Sequence, residues 1–500
     1  MSPPFRRILI ANRGEIAIRI ARACRELGIE SVAVYSDADL DAPHPAMADQ
    51  AIRIGPAEAT HSYLSIPALI DAARQSGSEA VHPGYGFLSE NAAFARAVEA
   101  AGLTWIGPPP ATQAALGDKL AARRSAAAAG VPIVPGLVVP LDLEQWPDLS
   151  GVGFPAMLKA AAGGGGRGMR RVDDARQLEA AVHPAGAEAA AAFGNETLYL
   201  ERLIQPARHV EVQLLGDRSG QLVCLGERDC SVQRRNQKLV EETPSPAVTP
   251  DIRAKLYDSA QRVAGTVEFH SLATVEFLLD PDGSHYFLEM NTRLQVEHGI
   301  TELVTGLDLV AWQIRVAAGE RLSDEVTAAT SRGHAIEVRL YAEDPFADFR
   351  PVGGTVGAWR MPDGPGVRVD AGVKPGLPLA SAYDPLLAKL MVWSVDRPSA
   401  VRRLRRALDE TLIGGLQTDL AFHRWLVDDP GFADGAYDLG LVANRWAGGA
   451  PLDAQDAALA ALAATEGRMG AAASGVSGPV SVAEHDSAWA RAARHEALRR

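Results

Sequence analysis

The feature that most narrows the folds open to this chain is its opening alternation of strand and helix. RRILIAN has the apolar run of a buried strand, GEIAIRIARACRELG repeats apolar residues at helical spacing up to Gly28, and SVAVYS returns to a strand. A strand, a helix and a second strand in that order make a parallel βαβ unit. The pattern recurs through the helical SYLSIPALIDAARQSG, the strand-like EAVH, the turn-rich PGYG, the helical NAAFARAVEAAG and the strand-like LTWIG. Residues 1–117 are therefore predicted to form an open parallel α/β domain. Ligands of such sheets bind at the carboxyl ends of strands, where Asn12-Arg13-Gly14 and His82-Pro83-Gly84-Tyr85-Gly86 both fall. Plain tight turns use the same residue types.

From 118 to 330 the pattern changes to a helix followed by strands and hairpins. From 331 to 447 it is strand-rich, with RGHAIEVRLYAED and GVRVDAGVKPG preceding the helical RPSAVRRLRRALDE, which predicts mixed α+β structure. Residues 448–500 are Ala-rich, with PLDAQDAALAALAATEG helical and GAAASGVSG a linker, and are read as an appendage.

A chain of 500 residues has room for about three domains. Its formal charge of -13 argues against holding nucleic acid or an anionic membrane by bulk charge, so any anion site must be built locally. Cys24, Cys224 and Cys230 form no Cys-x-x-Cys pair and supply no disulfide framework, which suits a reducing cytoplasm. The N-terminus enters a strand without the apolar stretch of a signal peptide, and no apolar run reaches ~18 residues, so no targeting or membrane segment is expected.

Gly163, Gly165 and Gly168 satisfy G-x-G-x-x-G, yet FPAMLKA before them and MRRV after them both read as strands. A dinucleotide fingerprint needs a helix after the glycines, so a glycine-rich hairpin fits better. Its bare N–H groups can close over phosphates with Lys159 adding charge upstream, and four consecutive glycines would be costly in any ordered element.

The sharpest signal is LATVEFLLDPDGSHYFLEMNTRLQVEH. With a two-residue turn at Asp282-Gly283, Glu276 lies opposite Glu289, although Pro281 also permits a bulged three-residue turn that would shift the register. Facing acids destabilise a sheet unless something cancels them. A divalent cation does so, and this carboxylate pair with the Asn291 carbonyl oxygen suits magnesium carrying substrate phosphates. Beyond it, Glu289, Asn291, Arg293, Gln295 and Glu297 alternate with apolar or small residues, predicting one polar face of an extended segment. A solvated strand would alternate too, but Arg beside Gln and Glu is suited to a small planar anion. Such an anion beside metal-bound phosphate suggests phosphoryl transfer to a carboxylate or carbonate. GERDCSVQRRNQK adds a basic cluster including Lys238, His209 is either a core histidine or a phosphate donor, and Arg339 at mid-strand must face a carboxylate or a site.

IANRGEIAIRIARACRELGI, HPGYGFLSENAAFA, GDK at 117–119, LKAAAGGGGRGMR, RHVEVQLLGD, GERDCSVQRRNQK and FLEMNTRLQVEH together closely resemble the biotin carboxylase family of the ATP-grasp superfamily, in order over about residues 5–447. The resemblance implies an N-terminal domain over 1–117, an ATP-grasp domain over 118–330 with a lid at about 132–204, and a biotin carboxylase C-terminal domain over 331–447. It implies ATP contacts at Lys119, Lys159, Gly164, Gly165, Gly166, Glu201, His209, Gln233, Asn236, Glu276 and Glu289, and a magnesium or manganese site at Glu276, Glu289 and Asn291. Lys238, Arg293, Gln295 and Val296 would hold bicarbonate, and Glu297 would deprotonate it. Arg339 would stabilise the biotin enolate, with His82 and Tyr85 also contacting biotin.

By the same resemblance the chain would carboxylate biotin through carboxyphosphate, as the biotin carboxylase subunit or α-chain N-terminal region of an acyl-CoA carboxylase. No Ala-Met-Lys-Met acceptor sequence occurs, so biotin would come on a separate carrier protein or domain, with a carboxyltransferase subunit and a homodimer as further expected partners. Three positions depart from the family pattern: Ala162 for the first lid glycine, Asn236 for a histidine and Gly299 for a proline. Another ATP-grasp ligase, of carbamoyl-phosphate synthetase type, would share the acids and lid but act without biotin. A non-catalytic assembly subunit would have no reason to keep Glu276, Glu289, Glu297, Lys238 and Arg339.

Overall fold

The protein is described here by a computed structural model over residues 3–141, 148–160 and 169–448. The glycines of the 163–168 cluster, including Gly164, Gly165 and Gly166, and the Ala-rich tail beyond 448 lie outside the described residues.

The N-terminal strands are β1 (Arg7–Ile10), β2 (Glu30–Ser36), β3 (Gln50–Gly55), β4 (Ala80–His82) and β5 (Thr104–Trp105), arranged β3-β2-β1-β4-β5 and parallel throughout. Helix α1 (Gly14–Glu26) is buried on most of its circumference, because Ile16, Ile20 and Cys24 join a core that also takes in Leu215, Leu272, Leu309 and Ile314. The chain turns into α1 at Gly14, whose φ of +66° favours glycine. The two predicted loops are tied together across β1 and β4, as Asn12 Nδ2 donates to the carbonyls of Pro83 and Tyr85, each at 2.7 Å.

A four-stranded antiparallel sheet follows, built from β6 (Gly136–Val139), β7 (Ala156–Ala160), β8 (Arg170–Val172) and β9 (Leu198–Arg202) in the order β6-β9-β7-β8. It packs against the helix Ala175–Phe193 through a separate core of Leu158, Leu178, Val182 and Leu200. Strands β7 and β8 pair antiparallel, so the glycine cluster connects a hairpin and not a strand to a helix.

The largest element is an eight-stranded antiparallel sheet. Its strands are β10 (Arg208–Gly216), β11 (Leu222–Arg234), β12 (Gln237–Thr243), β13 (Ser271–Leu279), β14 (His285–Asn291), β15 (His334–Tyr341), β16 (Val367–Ala371) and β17 (Leu386–Ser394), ordered β14-β13-β10-β11-β12-β15-β17-β16. Strand β12 pairs with β15, so one sheet runs across the change in sequence pattern at residue 330. The helix Arg397–Glu410 covers its far end, burying Ala400, Leu404 and Leu408 against β15 and β17.

The β13–β14 hairpin reaches its register by a route other than the expected two-residue turn. Glu276 does face Glu289, yet near the turn Leu279 pairs with His285 and Phe277 with Phe287, one residue out of step. The loop is the wider Asp280–Ser284 turn, closed by Asp280 N–H to the Ser284 carbonyl at 2.8 Å, and an irregularity between Phe277 and Glu276 restores the register.

Candidate active site

Four charged residues form one row across four neighbouring strands: Glu289 faces Glu276, Glu276 faces Glu211, and Glu211 faces Arg228. Three adjacent acids on one sheet face would repel strongly if left alone. Cations are threaded through them. Lys238 Nζ stands 2.7 Å from Glu211, 3.1 Å from Glu276 and 2.7 Å from Glu297. His209 Nε2 is 2.8 Å from Glu276, Lys119 Nζ is 2.8 Å from Glu289, and Arg228 Nε is 2.5 Å from Glu211.

Glu276 and Glu289 of this row line a cavity of about 750 Å³ between the four-stranded sheet, the large sheet and the N-terminal loops. On the side of the four-stranded sheet, Lys159 and Arg123 both pair with Glu201, the latter at 2.6 Å. On the other side stand Arg339, Tyr341 and Tyr85. Gln233 donates from Nε2 to the Cys230 carbonyl at 3.0 Å and lies 3.2 Å from His209 Nδ1. Asn236 also lines the cavity, within the two-residue turn between β11 and β12. Arg235 and Asn236 there have φ of +50° and +64°, a conformation asparagine accepts readily.

Past Asn291 the expected extended face is not a strand. The chain bends, and Glu297 becomes the residue before helix α2 (His298–Thr305). The polar residues still converge, because Arg293 donates from Nη1 to Gln295 at 2.8 Å and from Nη2 to Asn291 at 3.2 Å, while its Nε reaches Glu90 at 2.9 Å. Alternation read from sequence reports which side a residue faces, and here a turn supplies that facing in place of a pleat. Glu297 is fully buried at the start of α2, where a negative charge is favoured. Its Oε2 accepts from Arg339 Nη2 at 3.0 Å, and Arg339 Nε donates to Glu241 at 2.6 Å.

The charges set one another's proton affinities. Burial alone would raise the Glu297 pKa, but Lys238, Arg339 and Arg228 hold it well below the ordinary carboxylate range. Glu276 is likewise lowered against the cost of burial, by Lys238 and His209. Burial would make Lys238 lose its proton, yet Cys230 and the surrounding carboxylates push it well above 10.5. Glu241 is pushed up to about 7 by burial in spite of Arg339. Burial opposes the charge on His209, and Glu276 more than offsets it, so this histidine is shifted up.

Comparison with known proteins places this architecture. Family models match in succession: the biotin carboxylase N-terminal domain over residues 4–112, the carbamoyl-phosphate synthase L chain ATP binding domain over 118–325, and the biotin carboxylase C-terminal domain over 337–444. The biotin carboxylase of Nostoc sp. strain PCC 7120 is 48% identical over 433 residues, which is 86% of this chain and 97% of that protein. The chain belongs to the biotin carboxylase family. Among solved structures, the biotin carboxylase of Campylobacter jejuni in its beta-gamma-ATP complex has a TM-score of 0.84 at 41% identity, covering 88% of this chain and 99% of that one. The biotin carboxylase domain dimer of Hydrogenobacter thermophilus 2-oxoglutarate carboxylase, in complex with MgADP, ADP and bicarbonate, also has a TM-score of 0.84, at 42% identity over 89% of this chain and 98% of that one. The three-domain fold and the activity follow: this biotin carboxylase is an ATP-dependent ligase.

Of the site residues expected from sequence, Lys119, Lys159, Glu201, His209, Gln233, Asn236, Lys238, Glu276, Glu289, Asn291, Arg293, Gln295, Val296, Arg339 and Tyr85 all line the one cavity. Glu297 sits immediately behind it, reached through Lys238 and Arg339. His82 does not line it. That side chain is fully buried at the end of β4, where Nδ1 accepts from the Gly84 N–H at 3.1 Å, so His82 shapes the loop and the structure does not bring it to the cavity wall with the other expected biotin contacts. Burial lowers its pKa to about 3, leaving it neutral.

The carboxylates fit a divalent cation. Glu276 and Glu289 are hard oxygen donors on facing positions, both line the cavity, and each is now neutralised by an ammonium group, Lys238 or Lys119. Glu211, Arg228, Glu241 and Glu90 escaped sequence reasoning. Glu211 had a usable signal, since in RHVEVQLL it lies two residues from His209 and so on the same face.

Proposed function

We propose that ATP occupies the cavity beneath the lid, with its phosphates toward Lys119, Lys159, His209 and the Gly164–Gly166 backbone, and with Glu201, Gln233 and Asn236 as further contacts. Glu276, Glu289 and Asn291 would hold magnesium or manganese, which would supply positive charge to offset that of the phosphates. Bicarbonate lies against Lys238, Arg293, Gln295 and the Val296 N–H. The observation that carries this reading is the buried Glu297 carboxylate, 2.7 Å from Lys238 and 3.0 Å from Arg339, behind a cavity wall bearing Arg293 and Gln295.

A carboxylate held this low is a weak base. An anion that draws Lys238 toward itself weakens that hold, raising the proton affinity of Glu297 as bicarbonate arrives. Glu297 then takes the proton, a bicarbonate oxygen attacks the γ-phosphorus, and ADP leaves, giving carboxyphosphate. That intermediate breaks into carbon dioxide and phosphate, and the phosphate removes the ureido N–H proton of biotin. Arg339 offsets the enolate charge beside Tyr85, and the enolate nitrogen attacks carbon dioxide to give carboxybiotin. Biotin comes on a carrier protein or domain, and a carboxyltransferase passes the carboxyl group on, to an acyl-CoA in our reading. The dimer of the Hydrogenobacter domain supports a homodimer here, and the three free cysteines fit a reducing cytoplasm.

The test is ATP hydrolysis with and without bicarbonate and free biotin. Hydrolysis that needs bicarbonate and rises with biotin supports the reading. Hydrolysis indifferent to both overturns it.

A further inference from the structure

Lys389, on β17, has no part in the chemistry above. It is fully buried, far from any position a solvated lysine would choose, and it reaches the site from behind. Its Nζ donates to the Val296 carbonyl at 2.7 Å and lies 3.2 Å from Glu15 on α1. Glu15 in turn accepts from the hydroxyl of Tyr85 on the cavity wall.

The Val296 carbonyl belongs to the peptide that joins Val296 to Glu297. That peptide lies in a turn, after β14 has ended and before α2 begins, so no ladder or helix bond fixes it. One residue earlier, the Gln295 carbonyl accepts from His298 Nδ1 at 2.7 Å. Two successive peptide planes are thus each held by one buried side chain. Fixing the second plane fixes ψ of Val296 and φ of Glu297, and with them the direction in which the Glu297 side chain leaves the backbone.

We infer that Lys389 is a positioning residue, which sets the Val296–Glu297 peptide so that the anion-facing N–H of Val296 and the Glu297 carboxylate are aimed at the same bicarbonate. The neighbouring acids explain how a cation survives there. Glu15, Glu337 and Asp370 offset its charge, with Glu15 at 3.2 Å, and among the described residues the Val296 carbonyl is the one backbone oxygen to which its Nζ donates. A lysine serving charge balance alone would need no such contact. The inference rests on the proposed bicarbonate reading of Val296 and Glu297.

The test compares Lys389→Gln, which keeps an N–H donor without the charge, with Lys389→Met, which keeps neither. Kinetics are read as bicarbonate-dependent ATP hydrolysis, with thermal melts alongside. Should Lys389→Met not fold, the charge-balanced pair Glu15→Gln/Lys389→Met takes its place. The expected result is a bicarbonate KM raised by at least about fivefold in the Met variant, with kcat reduced, ATP KM within about twofold of wild type and partial recovery in the Gln variant. Equal loss of melting temperature in both variants with an unchanged bicarbonate KM would overturn the inference and leave Lys389 a structural cation. Arg293→Met serves as the control for the underlying reading. If that variant leaves the bicarbonate KM unchanged, the bicarbonate assignment fails; if it raises the KM while the Lys389 variants do not, only the positioning role fails.

Discussion

Replacing Glu297 with glutamine isolates the proton-accepting role from the architecture around it. The substitution keeps the shape of the side chain and one carbonyl oxygen, and it strands neither cation: Lys238 retains Glu211 at 2.7 Å and Glu276 at 3.1 Å, while Arg339 retains Glu241 at 2.6 Å. The cost of leaving a buried charge unpaired, ~3–5 kcal/mol, therefore does not arise. Melting temperature should stay within a few degrees of wild type, since ~1 kcal/mol moves it by about 2–4 °C in domains of this size. General-base catalysis contributes roughly 10²- to 10⁴-fold, so kcat for bicarbonate-dependent ATP hydrolysis should fall by that factor, about 2.7–5.4 kcal/mol of barrier. The assay is steady-state ADP release at saturating ATP, magnesium and biotin across a bicarbonate titration. In the wild type, protonation of the free enzyme's carboxylate, held below its ordinary range, should depress kcat/KM for bicarbonate only at low pH, and that limb should be missing from the variant. A folded Glu297→Gln protein with kcat within tenfold of wild type would refute the reasoning and place the base elsewhere.

Glu289→Gln removes one of the two facing carboxylates and should raise the magnesium concentration needed for half-maximal rate; retention of more than about a tenth of the rate at ordinary magnesium would imply under ~1.4 kcal/mol, too little for a principal metal ligand. Arg339→Ala should cut biotin-dependent carboxylation more deeply than biotin-independent ATP cleavage, and equal losses in the two half-reactions would count against its enolate role. Glu343, which accepts from the cavity-lining Gln237 but has no part in the chemistry, is pushed up from 4.5 to about 7 by burial, so its ionisation destabilises the folded state progressively as pH rises from about 4.5 to 7. Glu343→Gln, which can keep the contact with Gln237 at 3.0 Å, should therefore raise the melting temperature at pH 8 by an amount reflecting roughly 2–3 kcal/mol and change little at pH 4. Melts showing no pH-dependent difference would contradict that shift.

Much of the fold was legible because its N-terminal region obeys strong local rules. The parallel N-terminal sheet follows from apolar runs separated by one amphipathic helix after another, and its strand ends mark Asn12 and Tyr85 without any long-range knowledge. The facing of Glu276 and Glu289 was legible for a different reason than the one available in sequence: a wider turn and a compensating irregularity together give the register that a two-residue turn would have given alone. What escaped is what depends on the order of strands in the large sheet. Glu211 lies beside Glu276, and Arg228 beside Glu211, only because β10 sits between β13 and β11. No periodicity within one strand reveals its neighbour. Glu90, which holds Arg293 from a loop 203 residues away in sequence, is hidden for the same reason.

The departure at Gly299 shows how such a hidden contact shapes the site. A Cβ at this position would stand 2.3 Å from Met391 Sδ, so the methionine side chain packs directly on the bare backbone of α2 and would have to move aside for a larger residue. Met391 and Lys389 are two residues apart on β17 and point to the same side of the sheet. The packing of Met391 on Gly299 and the reach of Lys389 to the Val296 carbonyl are thus neighbouring contacts, three residues apart on the active-site segment and two apart on the strand. The peptide before Glu297 is held from the far side of the sheet by a buried lysine, whose neighbour on the same face of β17 is the methionine that packs on Gly299.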